Sequence, residues 1–201
     1  MQIIKNYIRP TLYKMFPLVA LEGPNNVGKS TILNGISLNV GKFHFPNYES
    51  PVGQLIKDML QNDGSDFSLD ECQALDLLFA ADRCLCKTKL QAELKIRPVV
   101  LDRYIYSGLA YSHARRALIN QDVNLVDLDY YNLKPDVVIL VLGRGFNVKN
   151  PTLQTSVTAA FLKLYKELGS KWHVINTDEC SPSAAINTCQ DIIKTFSSPP
   201  I

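Results

Sequence analysis

Long apolar runs, internal repeats and charge of one sign are all missing from this 201-residue chain, and each absence removes a class of function. No stretch approaches the length that crosses a bilayer, and the opening residues lack the apolar block of a secretory signal, so no membrane span is expected. The net charge is only +2 and no basic run occurs, which argues against a nucleic-acid or membrane-surface partner. Cys72, Cys84, Cys86, Cys180 and Cys189 form no Cys-x-x-Cys pair and no zinc-spaced His/Cys cluster, and an odd number fits a disulfide scaffold poorly. They read as reduced thiols of an intracellular, cytoplasmic protein.

With 46% apolar and 20% charged residues, the composition suits one compact domain with a buried core. Residues 1–16 precede the first strand signal, carry Lys5, Arg9 and Lys14 with no acid, and read as an N-terminal extension, an added strand or helix, rather than an organelle leader. The domain is expected over 17–201. Short apolar runs at Leu18 to Leu21, Val99 to Leu101, Val137 to Leu142 and Trp172 to Ile175 alternate with segments of helical period, which predicts a parallel sheet covered on both faces. Ser68 and Glu71 form a capping-box signature for a long helix that must end before Pro98. Asn150-Pro151 opens another, with Val157, Ala160, Phe161, Leu164, Tyr165 and Leu168 facing inward and Gly169 as its stop; Ser181-Pro182 starts the last.

The first strand runs into Gly23-Pro24-Asn25-Asn26-Val27-Gly28-Lys29-Ser30-Thr31, a G-x-x-x-x-G-K-S loop followed by a helix. Its glycines let the backbone curl so that successive N–H groups point at the phosphates of a nucleoside triphosphate. Lys29 then reaches the terminal phosphates and the Ser30 hydroxyl takes Mg²⁺. A GTPase switch would also need Asn-Lys-x-Asp and Asp-x-x-Gly, and the chain has neither. A second block, Asp102-Arg103-Tyr104 with Ser107-Gly108, sits at the carboxyl end of a strand, where a parallel sheet opens its ligand crevice. There Asp102 is placed to hold Mg²⁺ or its water and Arg103 to clamp a phosphate.

Together with Phe45-Pro46, Leu77 to Arg83 and Lys134-Pro135-Asp136, these blocks resemble the thymidylate kinase family, in the same order, from Leu18 to Leu142. The resemblance implies an α/β three-layer P-loop kinase fold, a five-stranded parallel sheet with helices on both faces. It also implies Mg²⁺-dependent transfer of the ATP γ-phosphate to dTMP by a homodimer, with the apolar side chains of Leu69 to Leu94 serving either the pairing or the core. By the same resemblance Phe79 stacks on the pyrimidine, Arg83 reaches the base or the acceptor phosphate, Arg103 binds that phosphate, and Tyr111 lies where a ribose 2′-hydroxyl would sit. Asn25, Phe45, Tyr48, Ser107 and Gly108 complete the acceptor site. The alternatives are another deoxynucleotide or nucleoside acceptor, or a catalytically weak nucleotide-binding relative.

The chain departs from the family pattern where charge is usually found. Asn25 and Asn26 stand where an aspartate and sometimes an arginine occur, and Asn47-Tyr48 follow Phe45-Pro46 in place of an arginine. The lid, residues 143–150, is short. With no arginine in the phosphate loop, Arg144 is the catalytic candidate for transition-state charge and Lys149 the second. Arg115 and Arg116 are candidates for the missing acceptor contact, one of the two being expected to face water.

Overall fold

The computed structural model describes residues 16–61, 67–120, 132–169 and 172–197; the rest of the N-terminal extension lies outside the described residues. Five parallel strands, β1 (Leu18–Glu22), β2 (Gly41–His44), β3 (Val99–Asp102), β4 (Val137–Leu142) and β5 (Trp172–Asn176), line up in the order β2-β3-β1-β4-β5. β1 therefore lies in the middle, paired with β3 from Leu18 opposite Val99 and with β4 from Val19 opposite Val137. Every residue of β1 and β3 is buried, as expected of strands covered on both faces. The helices are α1 (Lys29–Gly35), α2 (Pro51–Leu60), α3 (Leu69–Leu85), α4 (Lys87–Glu93), α5 (Ile105–Leu118), α6 (Pro151–Leu168) and α7 (Pro182–Ser197).

The period of two along the strands sorts the core into two layers. Val19, Leu21, Ile139 and Val141 pack against Ile32 and Leu33 of α1 and Ala185, Cys189 and Ile193 of α7. On the other face Leu18, Ala20 and Leu101 meet Leu90 of α4, while Val138 and Leu140 meet Ala110 and Ala114 of α5 and Val157 and Phe161 of α6. Among the described residues no helix is long and apolar enough to cross a membrane.

Three local expectations change. β2 is an edge strand with one neighbour and two exposed residues, Lys42 and His44, so its sequence carries no continuous apolar run. The helix opened by Ser68 does carry both halves of the capping box, but it divides at Cys86 into α3 and α4. Cys72 and Leu75 pack with Ile56 of α2 in a cluster of their own, whereas Leu90 and Leu94 must reach the sheet, and one straight helix does not serve both directions. In α6 the Asn150 side chain accepts from Leu153 N at 2.9 Å as an N-cap, and Val157, Phe161 and Leu164 turn inward. Tyr165 and Leu168 do not; they are 37% and 48% exposed, because the last turn runs past the edge of the apolar stripe.

Candidate active site

The loop between β1 and α1 is built on glycine at both ends. Gly23 has φ 142°, and a Cβ there would stand 2.1 Å from the Val141 carbonyl oxygen of β4, so no other residue fits. Gly28 enters α1 at φ 95° and Asn26 takes the left-handed region at φ 58°. Val27 is a core residue whose carbonyl accepts from Thr177 Oγ1 at 3.1 Å, so only its backbone is available to a phosphate. Thr31 is exposed.

Lys29 is buried and folds its ammonium back onto the Pro24 carbonyl. Burial draws its pKa well below the ordinary lysine value and Arg103 adds to this, while Asp102 and Glu22 oppose it. Negative charge beside Lys29 would offset the cost of burying this cation. Ser30 Oγ donates to Asp102 Oδ2 at 2.5 Å, and His44 Nδ1 lies 3.3 Å from the same oxygen. Burial pushes the Asp102 carboxyl up, but the hydrogen bonds from His44 and Ser30 and the charges of Lys29 and Arg103 together bring it below the usual aspartate value. A depressed carboxyl stabilises the fold above the ordinary aspartate pKa, and that contribution is lost as pH falls through the lowered value. Asp102 Oδ1 is buried with no hydrogen-bond partner among the described residues. An ionised carboxylate with one orphaned oxygen beside a serine hydroxyl is a donor set of hard oxygens that suits Mg²⁺.

Glu22 was not legible as a functional residue, and the fold depends on it. It closes β1 fully buried and accepts from Tyr106 N at 3.0 Å and Ser107 N at 2.9 Å. Tyr104, at the start of α5, makes no side-chain cap of its own, so Glu22 caps α5 from across the sheet. Its pKa is raised by burial, with Ser107 and Arg103 opposing. The available signal is a lone carboxylate ending an otherwise apolar strand.

Arg103 joins the loop to the neighbouring cleft. At φ 67° it turns its guanidinium back so that Nη1 donates to Gly23 O at 2.9 Å and Nη2 to Asn25 Oδ1 at 2.5 Å. The same guanidinium lies 5.3 Å from the Tyr111 ring centre. Asn25 thus serves Arg103 as a neutral acceptor, where an aspartate would bring charge.

The cleft itself, about 310 Å³, is lined by Asn25, Phe45, Tyr48, Phe79, Arg83, Arg103, Ser107, Gly108 and Tyr111, every acceptor-site candidate. Arg83 is buried, and its guanidinium packs over Gly108, where a Cβ would come 3.1 Å from Nη2. Asp82, next to it, accepts from Asn47 N at 2.8 Å and Ser50 Oγ at 3.1 Å and so fixes the turn that carries Tyr48. Burial raises the Tyr48 hydroxyl pKa, and the nearby Arg103 opposes that rise.

Arg115 and Arg116 correct an expectation, since neither faces water: they are 5% and 7% exposed. Arg116 pairs with Asp76 at 2.6 Å, and Arg115 lines the cleft. The helix α3 to α5 packing encloses both, which the sequence of α5 alone does not disclose.

The lid divides its cations. Arg144 is 89% exposed, its backbone N–H donating to Asp178 and its Nε 3.5 Å from the same carboxylate, so it stands apart from the cleft; Lys149 lines it. Residues 143–150 and the start of α6 meet the phosphate loop, Phe146 N donating to Asn26 O at 3.1 Å and Gln154 Nε2 to Asn25 O at 2.8 Å. Gln154 is a contact that its sequence position on α6 did not reveal.

Residues 21–182 match the family model for thymidylate kinase. A probable thymidylate kinase of Methanocaldococcus jannaschii is 33% identical over 126 residues, covering 62% of this chain and 63% of that protein. The thymidylate kinase of Arabidopsis thaliana is 30% identical over 178 residues, covering 81% of this chain and 65% of that protein, so the chain spans under two thirds of either relative. The solved structure of thymidylate kinase from Candida albicans superposes with a TM-score of 0.70 at 25% identity, over 90% of this chain and 92% of that one. A P-loop between β1 and α1, the Asp-Arg-Tyr block that begins at the last residue of β3 and a matched span from Leu21 to Pro182 place this chain in the thymidylate kinase family.

Proposed function

We propose that the chain is a Mg²⁺-dependent kinase that moves the γ-phosphoryl group of ATP onto the phosphate of dTMP, giving ADP and dTDP. The observation that carries this reading is the continuity of the phosphate loop with a cleft whose far wall is Phe79, Arg83 and Tyr111, with Arg103 spanning the two. The loop backbone and Lys29 would hold the donor phosphates, and Ser30 with Asp102 would hold the metal. A magnesium ion there would neutralise phosphate charge and orient the transferring group. Arg103 would exchange the Gly23 carbonyl and Asn25 for the acceptor phosphate. An acceptor oxygen bonds to the γ-phosphorus as the bond to the β-γ bridging oxygen breaks, and the acceptor is already an anion, so no strong base is needed.

Phe79 would take the flat face of the pyrimidine and Tyr111 the 2′ side of the sugar, which favours a deoxyribonucleotide. For transition-state charge the lid offers Arg144, which would first leave Asp178, and Lys149, which already lines the cleft; charge-removing substitutions at each rank them. Leu77 and Leu85, exposed on α3, support pairing of two copies through that helix, checked by sedimentation. The deciding experiment is ATP-dependent phosphorylation of a panel containing dTMP, dUMP, dCMP, UMP and thymidine. A preference for dTMP supports the reading, whereas phosphorylation of thymidine alone would reassign the acceptor, and ATP binding without any transfer would mark a non-catalytic relative.

A further inference from the structure

Gly108, Tyr111 and Arg115 follow one another at helical spacing on α5 and present one face to the cleft. The guanidinium of Arg115 is enclosed by three aromatic rings, 5.7 Å from the centre of Tyr111, 5.8 Å from Phe79 and 5.9 Å from Phe67. Burial pulls its pKa below the ordinary arginine value, with Asp76 opposing. Yet among the described residues no oxygen accepts from it. The carboxylate that could, Asp76, gives its Oδ2 to Arg116 at 2.6 Å and Ser112 Oγ at 2.8 Å. The Tyr111 hydroxyl beside it is likewise buried without a partner. Arginine carries only donors, and Arg115 lines the cleft with those donors still to be matched, so this corner suits a ligand that brings acceptors.

We infer that Arg115 is a specificity-determining residue, donating to a ring carbonyl oxygen of the acceptor's pyrimidine-2,4-dione. Position along α5 separates this role from phosphate binding. Arg103 and Ser107 stand at the loop end, and Arg115 lies eight residues beyond Ser107, about 12 Å further along the axis. A nucleotide whose phosphate meets Arg103 brings its base, not its phosphate, to Arg115. The aromatic cage holds the guanidinium in place by cation-π contact, so its donors are oriented before the base arrives. Thymine and uracil offer two carbonyl acceptors, and cytosine replaces one with an amine donor. The inference rests on the acceptor reading above.

Calorimetric affinity for dTMP, and inhibition by 2-deoxyribose 5-phosphate, which has the phosphate and sugar but no base, separate the possibilities. Arg115→Met, which fills the same cage without donors, should weaken dTMP binding roughly 10-fold or more, as loss of a charged hydrogen bond predicts, and leave the baseless phosphate unchanged. In turnover the loss should fall on KM more than kcat. Arg115→Lys, which keeps charge and a donor, should recover part of it, and ATP-dependent thermal protection confirms that each variant folds. Equal weakening of both ligands, or unchanged dTMP affinity, overturns the inference. Wild-type protein that binds dTMP without phosphorylating it would overturn the proposed reaction and leave this inference standing; failure to bind dTMP at all would overturn both.

Discussion

The two halves of the crevice differ in how their polar groups are settled. On the donor side Lys29 rests on the Pro24 carbonyl, Ser30 on Asp102 and Arg103 on Gly23 and Asn25, with the Asp102 Oδ1 atom left over. On the side proposed for the acceptor, Arg115 is 5% exposed and the Tyr111 hydroxyl is buried, neither with an acceptor among the described residues. The first half is made largely by one stretch of chain between β1 and α1; the second draws on α3, α5, the β2–α2 turn and the lid. Phosphate is recognised by charge and backbone N–H groups, which a single curled loop supplies. A base needs a flat surface and directional donors, which several elements must bring together.

Removing Lys29 attacks the donor half where it has no substitute. Lys29→Met should lower kcat/KM for ATP-dependent transfer by roughly 10³-fold or more, as loss of a positioned phosphate cation does. Steady-state kinetics with retained dTMP binding checks it, and loss of dTMP binding as well would show that the halves are not separable. Arg103→Met crosses the boundary, so both halves should suffer: roughly 10²-fold in kcat/KM with a raised KM for the acceptor monophosphate. An effect on ATP alone would return Arg103 to the donor side.

Glu22→Ala tests the scaffold that both halves share. It leaves the Tyr106 and Ser107 amides without their acceptor, and roughly 1–3 kcal/mol of stability should be lost, read by denaturant unfolding. Tyr111→Phe should have the smallest effect on stability. Its hydroxyl is buried and unpaired, so stability should hold or rise by about 1 kcal/mol or less. Deoxyribonucleotide preference should persist as well, because the ring and not the hydroxyl occupies the space. A marked gain in activity on UMP in this variant would transfer that role to the hydroxyl.

The legible part of the site follows the same division. Gly23 to Ser30, Asp102 and Arg103 are expected at one crevice because loop spacing and strand-end position constrain them locally, whereas Phe79 and Arg83 are expected there from the family resemblance, their spacing of four on a helix only allowing a shared face. Glu22 and Gln154 escaped because each acts on a partner far along the chain, Tyr106 and Ser107 in one case and Asn25 in the other. β2 escaped because an edge strand with exposed Lys42 and His44 has no apolar signature.

By itself, then, the sequence determined the alternating strand and helix order, the phosphate loop and the family to which the chain belongs, since those depend on periodicity and on contiguous residues. Tertiary structure decided where each cation stands. Arg144 went to Asp178 at the surface, Arg116 to a buried ion pair with Asp76, and Arg115 to an aromatic cage facing the cleft. The three arginines are alike in chemistry, and what separates them is the packing of α3 on α5 and of the lid on the β5–α7 turn: a charge takes its role from the burial and the acceptors around it, and those come from distant parts of the chain.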